Sequence, residues 1–249
     1  MADGKLHVVD GENDNYLGVI GTGFTGQFIL SNDKREIIIA NGYYSGGQRG
    51  KRVDLVKVWD ADTHSFKYEI PISEKRASAL NYEGLLRLSA DGRWLFVKNA
   101  TPATSVTVVD MQAKKDVGEI SLPGCWAICP AQSNSKRFAS LCGEGNVITV
   151  TLNDGGQEAS RTSRGKFFDP DDDAWFMQGE QGGDRYHFVS FKDNIAIVNV
   201  GGETAVLEGT WPLVTNADQK KAWRPGGYQP LAVHAGTNRL YVTMHPGGV

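Results

Sequence analysis

Short runs of β-branched and aromatic residues alternate with polar turns along the whole chain, and these runs repeat. One type of run ends in a polar turn and occurs five times, as KLHVVDGEN, DLVKVWDADT, SVTVVDMQA, NVITVTLNDG and NIAIVNVGGE. A second type precedes each of the later four, as REIIIANG, RWLFVKNA, RFASLCGEG and RYHFVSFKD, and RLYVTMHPGG is similar to it at the far end. A third type follows the first, as GVIGTGF, FKYEIPI, VGEISLPG and AVLEGTWP. The pattern predicts short strands joined by hairpins.

Each period of about 40–50 residues holds about four such strands and no helical pattern of useful length. A four-stranded meander repeated at this spacing predicts an all-β protein with the fold of a β-propeller, in which each repeat is one blade. A β-sandwich would have shorter and less regular spacing. About five blade equivalents are expected, because the first begins at Lys5 without its inner strands and the last stops after its second strand. We therefore expect residues 1–249 to be a single propeller domain and an incomplete part of a larger ring.

One inserted segment interrupts the period between Trp211 and Pro230, WPLVTNADQKKAWRPGGYQP. Its centre predicts a short helix that is capped by Asn216 and ended by Pro225. Segments inserted into a propeller lie on one rim, where binding surfaces are commonly built.

All three cysteines lie in one predicted meander that runs from Leu122 to Gly155. If AQSNS is the turn between CWAIC and RFASLC, Cys129 lies opposite Phe138, and Cys125 lies opposite Cys142. Directly opposed residues bring their Cα atoms to roughly 4.5–5.5 Å, a separation that a disulfide can span. This arithmetic leaves two alternatives open, a bridge between Cys125 and Cys142 or two buried thiols. Cys129 is left over and is expected to be a core thiol.

Charge and hydropathy exclude several classes of function. The chain has 249 residues, with 26 Lys and Arg against 29 Asp and Glu, which gives a net charge of −3. This balance offers no electrostatic basis for binding nucleic acid or an anionic membrane. No run approaches the roughly 18 apolar residues of a membrane helix. The start, MADGKLHVVDG, lacks the apolar core of a signal peptide, so the residues alone predict either a cytosolic protein or a lost N-terminus.

The segment GTGFTG, from Gly21 to Gly26, matches the GxGxxG fingerprint of dinucleotide-binding proteins. That chemistry needs a helix after the glycines to direct its N-terminus at the pyrophosphate, and an acidic residue about 20 positions later. Here QFILSNDKREIII continues as another strand, and the acidic position falls in ANGYYSGG. The pattern therefore favours a tight glycine-rich connection between blades. Phe24 in this connection either fills the core or is exposed at a surface.

Other candidate motifs are weaker. FFDPDDDAW carries clustered acids but lacks the glycine and distal Glu of a calcium-binding EF-hand loop, which favours a solvated loop. The basic stretch QRGKR, from Gln48 to Arg52, predicts a solvated hairpin tip. The five histidines show no metal-ligand spacing, alone or with Cys129, and are His7, His64, His187, His234 and His245. No nucleophile elbow or paired-carboxylate spacing is present, so the residues predict a scaffold without a catalytic centre.

Several segments taken together resemble a known family. In chain order they are GFTGQFILSNDKREIIIANGYY, RGKRVDLVKVWDADT, LNYEGLLRLSADGRWLFVKNATPATSVTVVD, GCWAICP with LCGEG, and AWRPGGYQPLAVHAGTNRLYVTMHPGG. This ordered set is similar to the heavy (alpha) subunit of the quinoprotein amine dehydrogenases. It resembles aromatic amine dehydrogenase more than the methylamine dehydrogenase heavy chain, and the resemblance covers essentially the whole chain.

The resemblance implies a seven-bladed propeller that is exported to the periplasm. Two copies would assemble with two copies of a small, disulfide-rich light subunit, which carries the tryptophan tryptophylquinone (TTQ) cofactor and the catalytic carboxylate. A primary amine, here an arylalkylamine, would be oxidised at the quinone to an aldehyde and ammonia, and the electrons would pass to a blue-copper protein. The heavy subunit would hold no catalytic residue, cofactor or metal of its own.

Few residues carry over from the family. Phe24, with Gly23 before it, matches the aromatic residue that the family's Gly-Gly-Phe loop lends to the substrate channel, although this chain has GTGF there. Cys125 and Cys142 match the family's heavy-subunit disulfide, in agreement with the strand arithmetic. The stretch from Trp223 to Tyr228 matches the family's WxPGG-aromatic segment, for which only a structural role is implied.

This chain departs from the family at both ends. The family continues through about two more blades after MHPGG, and its export signal has no counterpart here, so we expect a fragment of a longer gene product.

One competing hypothesis is a stand-alone propeller that binds a protein or ligand without amine chemistry. The other is a propeller enzyme with its own centre, such as a metal-dependent lactonase, for which the sequence shows no converging acidic and Asn side chains.

Overall fold

The repeated runs of the sequence form antiparallel strands in a computed structural model of the protein, which describes residues 4–47, 49–79 and 81–246. Consecutive strands pair into meanders, most of them four-stranded. The fold is an all-β propeller architecture of four-stranded blades, which confirms the class that the repeat spacing predicts. The chain divides between Pro123 and Gly124 into two compact units.

The first unit contains two sheets, each with its strands in sequence order. The first sheet consists of β1 (Gly4–Asp10), β2 (Asn15–Leu30), β3 (Glu36–Tyr44), β4 (Arg52–Asp60) and β5 (Phe66–Ile72). The second consists of β6 (Leu86–Leu88), β7 (Trp94–Asn99), β8 (Ser105–Asp110) and β9 (Lys115–Ser121). A 3-10 turn, Glu83–Leu85, precedes β6.

Strand β2 has 16 residues because it belongs to two successive hairpins. Its first half pairs with β1 and reaches Gly23 opposite Gly4. Its second half pairs with β3 and starts at Phe24 opposite Gly42, with an irregularity between Phe24 and Gln27. One uninterrupted strand therefore pairs with both β1 and β3 within the first sheet.

The core of the first unit follows the two-residue period of its strands. Ile38, Val56 and Ile70 are buried on the face of the first sheet that meets the second sheet. Leu95 and Val97 of β7 pack against them. Each such side chain contributes about 1.5–3 kcal/mol by leaving water, so this apolar layer fixes how the two sheets of the unit pack.

Lys98 is an exception within an otherwise apolar strand. All six residues of β7 are buried, and the strand period puts Lys98 on the same face as Phe96. The Lys98 side chain is 0% exposed, and its Nζ has no hydrogen-bond partner within the described part of the chain. Burial lowers the pKa of this amine from 10.5 to about 7, because low-dielectric surroundings disfavour its charged form.

The second unit contains two four-stranded sheets and two further two-stranded pairings. The first sheet consists of β10 (Cys125–Pro130), β11 (Arg137–Cys142), β12 (Val147–Leu152) and β13 (Glu158–Arg164). The second consists of β14 (Glu180–Gly182), β15 (Arg185–Val189), β16 (Asn194–Asn199) and β17 (Val206–Pro212). After them, β18 (Trp223–Pro225) pairs with β21 (Met244–Pro246), and β19 (Leu231–His234) pairs with β20 (Arg239–Val242).

An aromatic stack lies in the core of the second unit. The Trp175 ring stacks on Phe168 at a centroid distance of 4.5 Å and on Phe188 at 5.5 Å. Tyr186 is buried in the same cluster and donates its hydroxyl to the Pro130 carbonyl at 3.2 Å. Since Phe168 and Trp175 flank the acidic residues of FFDPDDDAW, that loop is anchored to the core at both ends.

The hairpin that carries the cysteines has a different register from the one predicted. Cys129 lies opposite Ala139, not Phe138, so the prediction is wrong by one residue near the turn. An irregularity between Cys125 and Ile128 absorbs the difference, and Cys125 lies opposite Cys142. The two sulfurs are joined in a disulfide of 2.01 Å. Cys129 is a buried thiol outside this bridge.

The inserted segment contains a shorter helix than expected. Helix α1 spans Asn216–Lys220, and its cap is Thr215 rather than Asn216. Thr215 accepts from the backbone N–H of Asp218 while the Asp218 carboxylate accepts from Thr215 N–H, a reciprocal capping box. Pro225 does not end the helix, because it lies in β18. In the described residues, no helix has the length and apolar character needed to cross a bilayer.

Candidate functional site

Phe24 lies where β2 changes partners, beside a small cavity in the first unit. Its ring is half-buried. The cavity has a volume of about 10 Å³, roughly that of one water molecule, and is lined by Phe24, Gly42, Tyr43, Tyr44, Arg52, Asp54, Arg76 and Ser78. The neighbourhood of Phe24 is therefore a packed wall with two arginines and a carboxylate directly behind it.

The glycines around Phe24 serve a strand, not a phosphate-binding loop. Residues 21–26 are part of continuous β2, and no helix follows them, so the helix N-terminus that a dinucleotide site requires is missing from this part of the described chain. Gly23 has a φ of +63°, and a Cβ added there would lie 3.0 Å from Cζ of Tyr43. The glycine thus permits both the backbone geometry and the close approach of the Tyr43 ring.

Replacing Gly23 by Ala is expected to destabilise the protein by about 1–2 kcal/mol, because a Cβ is unfavourable at this positive φ and meets the Tyr43 ring. Thermal denaturation checks this. Gly21→Ala is the matched control, because a Cβ at Gly21 would meet nothing within 4 Å. Equal losses in the two variants would contradict the close-approach explanation.

Arg76 holds the backbone of the Phe24 segment. Its Nη2 donates to the Phe24 carbonyl at 3.0 Å, and its Nη1 donates to the Thr25 carbonyl at 2.9 Å. The Thr25 hydroxyl donates to Ser78 O at 2.8 Å, and Gln27 Nε2 donates to Ala77 O at 3.1 Å. The segment 76–78 therefore supplies the partners that β3 does not supply across the irregularity in β2.

Asp54 and Arg52 hold Arg76 in turn. The Asp54 carboxylate accepts from the backbone N–H of Arg76 at 3.1 Å and from Arg52 Nε at 2.8 Å and Nη2 at 2.6 Å. The hydrogen bond to Asp54 raises the pKa of Arg52. Burial lowers the pKa of Arg76 to about 10, so both guanidiniums are charged at neutral pH. Two guanidiniums around one buried carboxylate form a fixed network behind Phe24.

Tyr43 presents a polar group next to this wall. Its hydroxyl accepts from Asn41 Nδ2 at 2.9 Å and from Lys57 Nζ at 3.2 Å. The same ammonium lies 4.5 Å from the centroid of the Tyr43 ring, a cation–π contact. These contacts fix the ring and hydroxyl of Tyr43 beside Gly23, next to Phe24.

The other candidate motifs do not join this site. In FFDPDDDAW, Asp173 accepts from the backbone N–H of Lys192 at 2.8 Å, and Asp172 pairs with the Lys192 ammonium at 2.5 Å. No three His, Cys, Asp or Glu side chains within the described ranges are placed to hold a metal ion. Four histidines form hydrogen bonds with nearby groups: His7 with Tyr16, His187 with Glu180, His234 with Thr237 and His245 with Pro246.

The basic stretch QRGKR does not behave as one solvated tip. Gln48 lies outside the described residues. Lys51 follows the prediction, with an exposed side chain 4.0 Å from Glu74. Arg52 contradicts it, because its guanidinium turns inward to the buried Asp54 carboxylate. An unpaired buried carboxylate would be costly, and Arg52 neutralises it.

The stretch from Trp223 to Tyr228 forms backbone pairings. Gly226 N donates to Thr243 O at 3.1 Å, and a Cβ at Gly226 would lie 2.7 Å from Nε2 of His245. The Tyr228 carbonyl accepts from Gln178 Nε2 at 3.2 Å. These contacts give the segment a structural role in joining β18 to β21.

Sequence reasoning singled out Phe24 as a candidate but missed the residues that hold its backbone. Asp54 shares a strand face with Val56 and Val58, both buried, so its signal is a charge at an apolar position of a two-residue pattern. Arg76 has no such signal, because it lies in a connection between strands. Its role depends on side-chain direction, which spacing along the chain does not specify.

Comparison with known proteins gives a consistent family. The family described as methylamine dehydrogenase heavy chain (MADH) matches residues 2–246. The methylamine dehydrogenase heavy chain of Methylobacillus flagellatus is 29% identical over 239 residues, covering 95% of this chain and 59% of that protein. The corresponding protein of Methylophilus methylotrophus is 27% identical, covering 95% of this chain and 58% of its own length. The chain thus spans less than two thirds of the curated relatives it matches.

Solved structures are similar in fold alone. BamB from Moraxella catarrhalis matches 84% of this chain and 58% of its own, with a TM-score of 0.51 and 12% identity. The dihydro-heme d1 dehydrogenase NirN matches 84% of this chain and 41% of its own, with a TM-score of 0.56 and 14% identity. At these identities the likeness concerns the architecture and carries no information about activity.

Proposed function

Because the chain belongs to the methylamine dehydrogenase heavy chain family, we propose that it acts as the heavy subunit of a periplasmic amine dehydrogenase. The observation that carries this proposal is the family match over residues 2–246. The proposed reaction converts a primary amine and water to an aldehyde and ammonia, with release of two electrons and two protons. The proposed substrates are arylalkylamines, in keeping with the sequence resemblance to aromatic amine dehydrogenase.

The proposed partner is a small light subunit that carries TTQ and the catalytic carboxylate, in an assembly of two heavy and two light subunits. When bound, the quinone supplies the electrophile and the two-electron acceptor for the amine. TTQ is built from two joined tryptophans. In this chain Trp59 contacts Phe66, and Trp175 contacts Phe168 and Phe188. Both side chains pack against phenylalanines, in keeping with a scaffold role for this chain.

The compartment and the electron acceptor are proposed on the basis of the same family membership. The Cys125–Cys142 disulfide supports an oxidising compartment such as the periplasm, because disulfides are rare in the cytosol. The proposed acceptor is a blue-copper protein. Copper in such a site accepts one electron at a time, so each amine oxidised would require two transfers.

In this proposal Phe24 shapes the entrance through which the amine reaches the quinone. Its backbone is held by Arg76, so its half-buried ring occupies a fixed place. A fixed aromatic wall excludes water and packs against an aryl group more favourably than against a methyl group. Phe24 would therefore affect which amine binds, whereas proton abstraction would belong to the light subunit.

Phe24→Ala tests this role in the assembled complex. We expect the ratio of kcat/KM for 2-phenylethylamine to that for methylamine to change by about tenfold or more, because differences in apolar contact of this size are worth roughly 1–3 kcal/mol. The change should be mainly in KM, since the residue contacts substrate without taking part in the chemistry. Steady-state kinetics with the two amines measure it.

Phe28→Ala is the matched control for this experiment. Phe28 lies on the same strand and is 50% exposed, but it does not line the cavity beside Phe24. Its substitution should leave the ratio unchanged. An unchanged ratio in Phe24→Ala, with normal assembly, would remove Phe24 from the substrate channel.

The assembly itself is tested by purifying the protein from its native source and staining a denaturing gel for quinone redox cycling. We expect a stained small band beside an unstained heavy chain. No stained partner, together with no amine-dependent dye reduction, would favour the competing hypothesis of a stand-alone binding propeller.

A further inference from the structure

We infer that Arg76 is a positioning residue for Phe24 and thereby sets amine preference without contacting the amine; this rests on the proposed function of Phe24. The inference starts from the gap in pairing within β2. Between Phe24 and Gln27 the register with β3 is irregular, so the strand ladder does not define the backbone there. A side chain has to define it instead.

Arg76 meets that need with a rigid, two-pronged contact. One nitrogen of its guanidinium binds the Phe24 carbonyl and the other binds the Thr25 carbonyl, at 3.0 and 2.9 Å. The planar guanidinium presents its donors in a fixed geometry, so two adjacent peptide units are held at once. Thr25 has a φ of 44°, a conformation that a non-glycine residue rarely adopts unless its surroundings impose it.

The backbone of residue 76, from which the guanidinium extends, is held on both sides. Arg76 is 1% exposed, and its backbone N–H bonds to Asp54 while its carbonyl accepts from Arg52 Nη2 at 2.8 Å. On the other side, residue 76 forms a bridge with Asn99 at the end of β7. Neighbouring Ala77 N donates to Lys98 O at 2.8 Å. The contacts therefore run from the core of both sheets of the first unit to the backbone of Phe24.

A lysine cannot reproduce this arrangement. Its ammonium is a single point of charge, and it cannot hold two adjacent carbonyls in one plane. Arg76→Lys should therefore preserve the charge next to Asp54 while loosening Phe24. Arg76→Gln removes both the positive charge and the pair of guanidinium donors. If Arg76 acts by positioning Phe24, both variants change the amine preference. If Arg76 only balances the charge of Asp54, Arg76→Lys keeps the wild-type preference and only Arg76→Gln changes it.

The experiment measures the ratio of kcat/KM for 2-phenylethylamine to that for methylamine in the assembled complex. It compares wild type, Arg76→Lys, Arg76→Gln, Phe24→Ala and the double variant Phe24→Ala/Arg76→Gln. We expect each Arg76 variant to shift the ratio in the direction of Phe24→Ala, by about threefold to tenfold. We expect the double variant to match Phe24→Ala alone, because residues that act through one another are not additive.

Arg93→Gln is the matched control. Arg93 also pairs with a largely buried aspartate, Asp110, at 3.1 Å. It lies directly before β7, at the opposite end of that strand from Asn99, which is the bridge partner of residue 76. The kcat/KM ratio of Arg93→Gln for the two amines should equal that of the wild type. A shift as large as that of Arg76→Gln would mean that general loosening of the unit, and not the position of Phe24, changes the preference.

The outcomes separate the inference from the function on which it rests. If Phe24→Ala leaves the ratio unchanged, the proposed role of Phe24 fails. If Phe24→Ala shifts the ratio and the Arg76 variants do not, or if the double variant shows the product of the two single effects, the inference is overturned. Should the Arg76 variants fail to assemble, Arg52→Gln is measured instead. Arg52→Gln removes the bond to the Arg76 carbonyl but leaves the Arg76 guanidinium in place. An unchanged kcat/KM ratio in this variant would also overturn the inference.

Discussion

Replacing Lys98 by Met is expected to stabilise the protein by about 1–4 kcal/mol at pH 7. The Lys98 amine is fully buried without a hydrogen-bond partner in the described residues, and its pKa is lowered to about 7. The difference from its ordinary value of 10.5 corresponds at most to about 5 kcal/mol. Methionine has a similar length and shape and no charge to remove from water. Thermal and urea denaturation of the full chain measure the gain.

The same group predicts a pH dependence. Its pKa in the folded protein, about 7, lies below the unfolded value of 10.5. Between these two values the unfolded chain binds more protons than the folded one, so the stability of the wild type rises with pH across that window. The advantage of Lys98→Met should therefore be largest at or below pH 7 and shrink toward pH 10.

Lys115→Met is the matched control for this prediction, because Lys115 lies on β9 of the same sheet and is exposed. We expect a change within about 0.5 kcal/mol and no comparable trend with pH. A loss of stability in Lys98→Met at pH 7 would mean that the amine has a favourable partner when the protein is folded. An advantage that did not decline with pH would mean that packing, and not charge, accounts for the gain.

Removing the disulfide is expected to lower the free energy of unfolding by about 3 kcal/mol, on the chain-entropy account of a short closed loop. The bridge closes a sequence separation of 17 residues between β10 and β11. The double variant Cys125→Ala/Cys142→Ala should melt about 6–12 °C below wild type, given the size of the chain. Calorimetry at neutral pH, with and without reductant, measures both effects.

Cys129→Ala separates the bridge from the loss of buried sulfur. Cys129 is buried on the same strand but lies outside the disulfide. Reductant should destabilise wild type and Cys129→Ala by similar amounts and have no effect on the double variant. A reductant effect that persists in the double variant would show that something other than this bridge responds to reduction.

The repeat pattern predicted the meanders well because each strand carries its own local signal. The apolar runs in β3 and β4 place Ile38, Val56 and Val58 on one buried face, and such runs require only neighbouring positions along the chain. The pairing of Cys125 with Cys142 also came out of simple counting. It did so although the register near the turn was wrong by one residue, because an irregularity further along β10 compensates.

The features that sequence could not supply are decided by which particular hydrogen bonds form, within short segments as well as between distant residues. The turn before Arg137 closes with the Ala131 N–H on the Arg137 carbonyl, which shifts the register by one residue, since turn length depends on which backbone bonds close it. The helix cap moved from Asn216 to Thr215, because Asp218 completes a capping box only with Thr215. Arg76 and Phe24 are far apart in sequence, and nothing in either segment alone indicates that a guanidinium binds those carbonyls.

The order of the strands has a consequence for how the protein folds. Nearly every strand pairs with its neighbour in sequence, so each meander closes only short loops and can form before the rest of the chain is complete. Among the named strands of the described residues, only β18 and β21 pair across an intervening hairpin. That hairpin, β19–β20, brings the two strands together. We therefore expect the β18–β21 pairing to form late and to be the first to open in native-state hydrogen exchange.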